Sequence, residues 1–377
     1  MAQIKRIFII CGEPSGDVLA GNLISAMKKL DPAIKISAVG GAHLESAGAE
    51  IFYNIKGLAV MGFFDVLRKL PKFLKLKRLV LEKINADKPD AVIFVDFSGF
   101  NLRLAKAINK RLPSVYYVSP QVWASREGRV KCIRRFITKM VVLFKFEEEF
   151  YRQRGIPAVC AGHPLIDIVK PTLQRQEFID NFRLSENKKT IALLPGSRKQ
   201  EIKLILPIML KAARLINKQV PDTQFIIAKS PQLDAQIYQD ECKRSNLDIK
   251  IVDGKTYDCL KIAEACLVCS GTATLEAAIM QKPFVIVYKM NLLNYLLYRP
   301  QIKIPHIGIV NIVAGRKIIP EFIQFNARPK MIAGSIVGLL QPDRASRMIS
   351  DLAAVKNSLC EPGAASRAAK LILDFLK

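Results

Sequence analysis

The 377 residues include 58 Lys and Arg against 33 Asp and Glu, a formal charge of +25, and half of them are hydrophobic. That balance belongs to a core-forming globular chain of two or three domains and excludes global disorder or a fibrous repeat. Every apolar run stops well short of the ~20 residues a membrane-spanning helix needs.

In chain order, the first apolar run, Ile7–Cys11, is too short for a signal-peptide core and reads as a buried strand. With no export implied, the eight cysteines are expected as free thiols in a reducing compartment. The strand enters Gly12-Glu13-Pro14-Ser15-Gly16-Asp17, a turn that opens a helix over Ser15–Leu30. Glycines there allow backbone to approach a ligand, and Ser15 could cap a helix end that favours anions. Glu13 would repel a phosphate, so it suits orienting a hydroxyl or a cation. The spacing is not that of a dinucleotide site.

Ile36–Val39 is the next strand, and a helix follows over Phe63–Ala86. Within it Phe63, Phe64, Leu67, Arg68, Lys69, Lys72, Phe73 and Leu74 alternate apolar and basic residues at helical spacing. Between Met61 and Lys139 lie 18 Lys and Arg against 6 Asp and Glu, about half of the chain's surplus. Such a stretch can lie in a membrane interface, or be an ordinary amphipathic helix with a solvated basic face. No nucleic-acid-binding pattern accompanies it, so nucleic acid is not an expected partner.

The strand Ala91–Val95 runs into Asp96-Phe97-Ser98-Gly99-Phe100-Asn101, ahead of a helix over Leu102–Arg111. Asp96, just past an apolar strand, could take a proton from an attacking hydroxyl, or could cap the helix beginning near Gly99. Val115–Val118, Met140–Phe144 and Ala158–Ala161 complete a set of apolar strands separated by helices, the pattern of a parallel sheet covered on both faces.

Pro164 and Pro171 mark a linker, after which the pattern restarts with Thr190–Leu194, a helix over 200–219, Gln224–Ala228, Ile249–Val252, Cys266–Cys269, a helix over Thr272–Gln281, and Phe284–Tyr288. The first of these strands ends in Pro195-Gly196-Ser197-Arg198, where backbone N–H groups, a hydroxyl and a guanidinium converge as a pyrophosphate would require. Another ends in Ser270-Gly271-Thr272, with Glu276 one turn into the next helix. Small residues there admit phosphates or a base, and Glu276 could accept from ribose hydroxyls or complete a capping box. The fold class expected is α/β: two tandem Rossmann-like doubly wound domains over 1–170 and 171–345, with C-terminal helices over 346–377 returning to the first. Such a pair holds its ligand in a cleft outside the carboxyl ends of the strands. Cys266 and Cys269 lack a second pair, and the three histidines are scattered, so neither a metal site nor a cofactor is expected. The chain has no Asp-x-Asp metal pair and no Walker A motif.

In order along the chain, Gly12-Glu-Pro-Ser-Gly-Asp17, Leu58-Ala-Val-Met-Gly62, Asp96 with Phe100-Asn101, Tyr117-Val-Ser-Pro-Gln-Val-Trp123, Gly162-His163, Leu194-Pro-Gly-Ser-Arg198, Ser270-Gly-Thr-Ala273 with Leu275-Glu276, and Asn311-Ile-Val-Ala-Gly-Arg316 form a specific set. On these motifs the chain resembles the lipid-A-disaccharide synthases, glycosyltransferases of the GT-B architecture that act in lipid A and lipopolysaccharide synthesis for the Gram-negative outer membrane. The resemblance implies that UDP-2,3-diacylglucosamine donates its sugar, with inversion, to 2,3-diacylglucosamine 1-phosphate (lipid X). The products are UDP and the β-1,6-linked disaccharide 1-phosphate. Asp96 matches the family's essential aspartate and takes the base role, with Glu13 on the acceptor side. Gly12, Ser15, Asn101 and Trp123 fall in the acceptor loops. Arg198, Ser197, Ser270, Gly271, Thr272, Glu276, Asn311 and Gln324 fall on the UDP side. Where some members carry a second acid, this chain has Gly99, so Asp96 is expected to act alone.

Because both substrates carry acyl chains, the resemblance favours the membrane-interface reading of Phe63–Leu81, on the anionic cytoplasmic face of the inner membrane. The C-terminal helices could exchange between chains in a homodimer. The rival readings are another UDP-sugar transferase or a UDP-sugar 2-epimerase of the same architecture, and a non-catalytic basic protein that docks on membranes.

Overall fold

The computed structural model describes residues 5–56, 58, 63–245, 247–302 and 304–376, and leaves aside the side chains of 63–67 and 298. The chain forms two compact units. One comprises Met1–Pro164, Leu297–Ile304 and Leu359–Lys377; the other comprises Leu165–Leu296 and Pro305–Ser358.

The first unit is built from β1 (Arg6–Ile10), α1 (Pro14–Leu30), β2 (Lys35–Gly40), α2 (Ala42–Ser46), β3 (Glu50–Asn54), α3 (Phe63–Asp87), β4 (Ala91–Val95), α4 (Ser98–Ile108), β5 (Ser114–Tyr117), α5 (Arg129–Phe136), β6 (Lys139–Val142), α6 (Lys145–Arg152) and β7 (Ala158–Cys160). Its seven strands lie in the order β3-β2-β1-β4-β5-β6-β7, every neighbouring pair parallel. Strands such as Ala91–Val95 are buried at every position, because helices cover both faces of the sheet. The strand β3, half-exposed at the sheet edge, carries too weak an apolar pattern to be read from sequence.

The second unit follows with α7 (Leu165–Ile168), α8 (Arg175–Phe182), β8 (Lys189–Leu194), α9 (Lys199–Gln219), β9 (Thr223–Lys229), α10 (Ala235–Lys243), β10 (Ile249–Asp253), α11 (Thr256–Ile262), β11 (Ala265–Cys269), α12 (Thr272–Ile279), β12 (Phe284–Tyr288), α13 (Leu292–Tyr298), α14 (Ile309–Ala314), β13 (Glu321–Ile323), α15 (Pro329–Leu339) and α16 (Pro342–Ser358). Its six strands take the order β10-β9-β8-β11-β12-β13, again all parallel. Of the helical C-terminal stretch, α15 and α16 belong to this unit. Only α17 (Ala364–Phe375) belongs to the first, where it packs on α1 and β6.

In each sheet the chain winds outward from a central strand one way, then returns and winds the other way. The reversal falls between β1 and β4 in the first unit and between β8 and β11 in the second. At such a point the loops leaving two adjacent strands diverge and open a crevice, where doubly wound folds place ligands.

Candidate active site

In the first unit the two loops at the reversal are Gly12–Glu13 after β1 and Asp96–Phe97 after β4. A Cβ on Gly12 would lie 2.3 Å from the Phe97 ring, so the residue must be glycine for the loops to close together. Glu13 takes the N-cap position of α1, with Pro14 opening the helix. Ser15 therefore lies inside the first turn, exposed, and caps nothing. Asp17, from the same motif, is buried, and its carboxylate accepts from Gly41 N–H at 2.7 Å and His43 N–H at 2.9 Å. Its place is to hold the β2–α2 turn.

Asp96 does not cap α4: the N-cap is Phe97, no side chain caps the helix, and the helix starts at Ser98 rather than near Leu102. Asp96 and Phe97 are consecutive residues in the left-handed region, both at φ 46°, and Val118 on the neighbouring loop sits at φ 61°. Such positions cost about 1–3 kcal/mol each for non-glycine residues and persist only where surrounding contacts enforce them. Here the contacts are visible. The Asp96 carbonyl accepts from Asn101 Nδ2 at 2.9 Å and from the Tyr116 hydroxyl, and the Asn101 amide also reaches the carbonyls of Val95 and Ile10. Asn101 is fully buried, so it acts on the site through the Asp96 backbone. Tyr116, which sequence reasoning missed, completes the clamp.

Burial pushes the Asp96 carboxyl up to about 6, and the nearby negative charge of Glu13 adds to that rise. A carboxylate so poised is basic enough to take a proton near neutrality while still ionised there. Gly99 is exposed, with open space where a side chain would project.

Trp123 bonds to a different carboxylate, that of Glu147. Its indole N–H donates to Glu147 Oε1 at 3.1 Å, and Ser119 Oγ donates to the same oxygen at 2.7 Å. Glu147 is buried, which pushes its carboxyl up. Trp123 thus anchors the loop leaving β5. His163 is likewise buried and held neutral, its pKa lowered to about 3.

The basic helix α3 adjoins the Asp96 loop. Phe73 lies 5.8 Å from the Phe97 ring and 6.3 Å from that of Phe100, and those two rings stack at 5.3 Å. Arg68, Lys72 and Leu74 are exposed, and Lys69 is half-buried. The side chains of Phe63, Phe64 and Leu67, and residues 59–62, lie outside the described residues. Among the described residues, no helix is long and apolar enough to cross a membrane.

In the second unit the reversal loops are Pro195–Arg198 after β8 and Ser270–Thr272 after β11. Gly196 adopts φ 115°, and a Cβ there would lie 2.4 Å from Glu201 Oε2. That oxygen accepts from the N–H groups of Ser197 at 3.1 Å and Arg198 at 3.3 Å, capping α9. Glu201 already occupies the donors that the sequence pattern suggested for a pyrophosphate. The Arg198 guanidinium is 54% exposed and 3.3 Å from Glu201 Oε1, a pairing worth no more than about 1 kcal/mol at a surface and readily exchanged.

Gly271 at φ 149° and Thr272 are exposed at the open N-terminus of α12. Thr274 bonds back to the Gly271 carbonyl and occupies the capping-box position, so Glu276, two residues further on, cannot complete a capping box. Instead Glu276 accepts from the Tyr257 hydroxyl at 3.3 Å, and burial pushes its carboxyl up. Asn311, in α14, and Gln324, just after β13, are buried with their amides engaged. Asn311 accepts from Ile318 N–H and Ile319 N–H and donates to Glu321, while Gln324 pairs with both backbone groups of Met290.

The sequence comparisons agree with one another. A family model described as lipid-A-disaccharide synthetase matches residues 7–371. A protein named lipid-A-disaccharide synthase from Syntrophus aciditrophicus is 40% identical over 99% of this chain and 98% of its own length. A protein of the same name from Myxococcus xanthus is 35% identical over 100% and 99%. Among solved structures, the glycotransferase of kitacinnamycin superposes with a TM-score of 0.65 at 15% identity, covering all of both chains. The UDP-GlcNAc 2-epimerase from Neisseria meningitidis bound to UDP-GlcNAc gives 0.63 at 12% identity, covering 99% of each chain. Likenesses at that identity show a shared two-unit α/β fold of the GT-B type.

Proposed function

The chain belongs to the lipid-A-disaccharide synthetase family of glycosyltransferases, and on that premise we propose that it joins UDP-2,3-diacylglucosamine to 2,3-diacylglucosamine 1-phosphate. The observation that carries the reading is Asp96, a carboxyl raised to about 6 and held by a clamped left-handed turn at the reversal point of the first sheet. In this reading Asp96 takes the proton of the acceptor 6-hydroxyl as that oxygen bonds to the anomeric carbon of the donor. The bond from that carbon to the diphosphate breaks, UDP departs, and the α-linked donor gives a β-linked product. Glu13 keeps Asp96 basic and orients the acceptor.

The charge developing on UDP falls to the Arg198 side chain and the open N-terminus of α12 at Ser270–Thr272, since Glu201 already takes the α9 donors. Ser197, Glu276 and Tyr257 shape the nucleoside side, and Asn311 and Gln324 act by fixing the loops around it. The acyl chains of both substrates, with the exposed basic and apolar residues of α3, support work at an anionic membrane surface.

The test is an incubation of both lipid substrates in detergent micelles with EDTA, following UDP release and product mass. Wild type should form the disaccharide, Asp96→Ala should lose it while still binding UDP, and Arg198→Ala should weaken UDP binding. Conversion of UDP-GlcNAc alone to its 2-epimer, with no disaccharide, would move the reading to an epimerase.

A further inference from the structure

At Ser98, two residues past Asp96 in the chain, the first unit holds a cavity of about 330 Å³ that the transfer chemistry leaves unused, lined also by Gln121, Ser125, Arg126, Arg129 and Gln301 among others. Its charge is one-sided. Arg129 Nη1 donates to Ser98 Oγ at 2.9 Å, and Arg126 Nε donates to Gln301 Oε1 at 3.2 Å, so both guanidiniums are aimed by neutral partners. Glu127, the acid between them in sequence, is turned to Arg154 at 2.9 Å. Among the described residues no carboxylate pairs with Arg126 or Arg129. Arg103 and Lys106 add further positive charge nearby. Two arginines that repel each other across a cavity, with no acid to neutralise them, leave charge that an anion would satisfy. Planar guanidiniums suit the oxygens of a phosphate in particular.

We propose that this cavity binds the anomeric phosphate of the acceptor, with Arg126 and Arg129 as the residues that select a phosphorylated sugar. The inference rests on the acceptor reading above. Ser98, which Arg129 holds, is two residues from Asp96, so a sugar whose hydroxyl meets the base would present its opposite end to the arginines. No bond changes at this site; it sets position and specificity.

The test compares lipid X with the same diacylglucosamine lacking its phosphate, both in uncharged detergent micelles, for wild type, Arg126→Gln and Arg129→Gln. Each substitution should raise KM for the phosphorylated acceptor roughly ten- to a hundredfold, the span of one charge-assisted hydrogen bond. Turnover of the unphosphorylated acceptor and affinity for UDP should not change. Arg126 is exposed, so its variant separates recognition from folding. Full retention of the preference for phosphate in both variants would overturn the proposal. So would a loss confined to vesicles containing phosphatidylglycerol, which would assign the arginines to a lipid headgroup. If wild type forms no disaccharide, titration with inorganic phosphate followed by its phosphorus resonance still decides. Broadening by wild type that disappears in both variants keeps the anion site while the acceptor reading falls, and equal broadening in all three proteins sinks the site.

Discussion

Asp96 is where local geometry and chemistry meet most closely. Its raised pKa has burial as the larger cause and Glu13 as the smaller, and both favour the neutral acid. A base must be ionised to act, so the rate should fall as pH drops through about 6 and level off above it. Replacing Glu13 by Gln removes the like charge but not the burial. The acid limb of kcat/KM should therefore move to lower pH without reaching an ordinary aspartate value. Asp96→Asn should remove the limb and lower the rate by about 10²–10⁴-fold at pH 8. A limb that stays in place in Glu13→Gln would assign the titration to another group. The loop positions of Asp96, Glu13 and Arg198 at the reversal of each sheet were legible in the sequence because each follows an apolar strand. Tyr116 and Glu201 were not. Tyr116 reads as one more buried aromatic of a strand, and only the folded sheet shows its hydroxyl meeting a carbonyl twenty residues away.

Among the elements, the two roles proposed for α3 separate by face. Phe73 packs inward against Phe97 and Phe100 and so braces the turn that carries Asp96, whereas Leu74 is 58% exposed and Lys72 is exposed as well. An exposed leucine gains about 1.5–3 kcal/mol when taken from water into an apolar phase, and a lysine near an anionic surface about 1 kcal/mol. Leu74→Ser should therefore weaken binding to phosphatidylglycerol vesicles roughly tenfold or more, as read by sedimentation, and leave transfer in micelles unchanged. Phe73→Ala should reverse the pattern, with vesicle binding kept and kcat reduced. Equal losses from both variants in both assays would mean that α3 acts only as a structural helix. Apolar and basic alternation marked this helix in the sequence. The direction of each face was hidden there, because it depends on aromatic partners from a loop that turns through two left-handed residues.

At the scale of the molecule, the parallel, doubly wound character of each sheet was the most legible feature, since fully apolar strands alternating with helices imply a sheet covered on both faces. The last helix was harder, because α16 and α17 carry similar patterns yet belong to different units. What separates them is packing. Ala364, Ala368, Ala369 and Ile372 bury a face of α17 within the first unit, where the helix packs on α1 and β6. Arg367 Nε meanwhile donates to the Ala161 carbonyl at 2.9 Å. The first unit therefore closes only with residues from the far end of the chain. Removing the Ile372 side chain to alanine should cost about 2–5 kcal/mol, a large share of the 5–15 kcal/mol that holds a domain folded. That cost should appear in one unit. Hydrogen exchange should quicken in β1, β4 and β6 of Ile372→Ala while β8 and β11 keep their protection. Transfer should fail on mild heating while UDP is still bound. Uniform loss of protection across both sheets would show instead that the two units unfold together, with α17 contributing to a single cooperative transition.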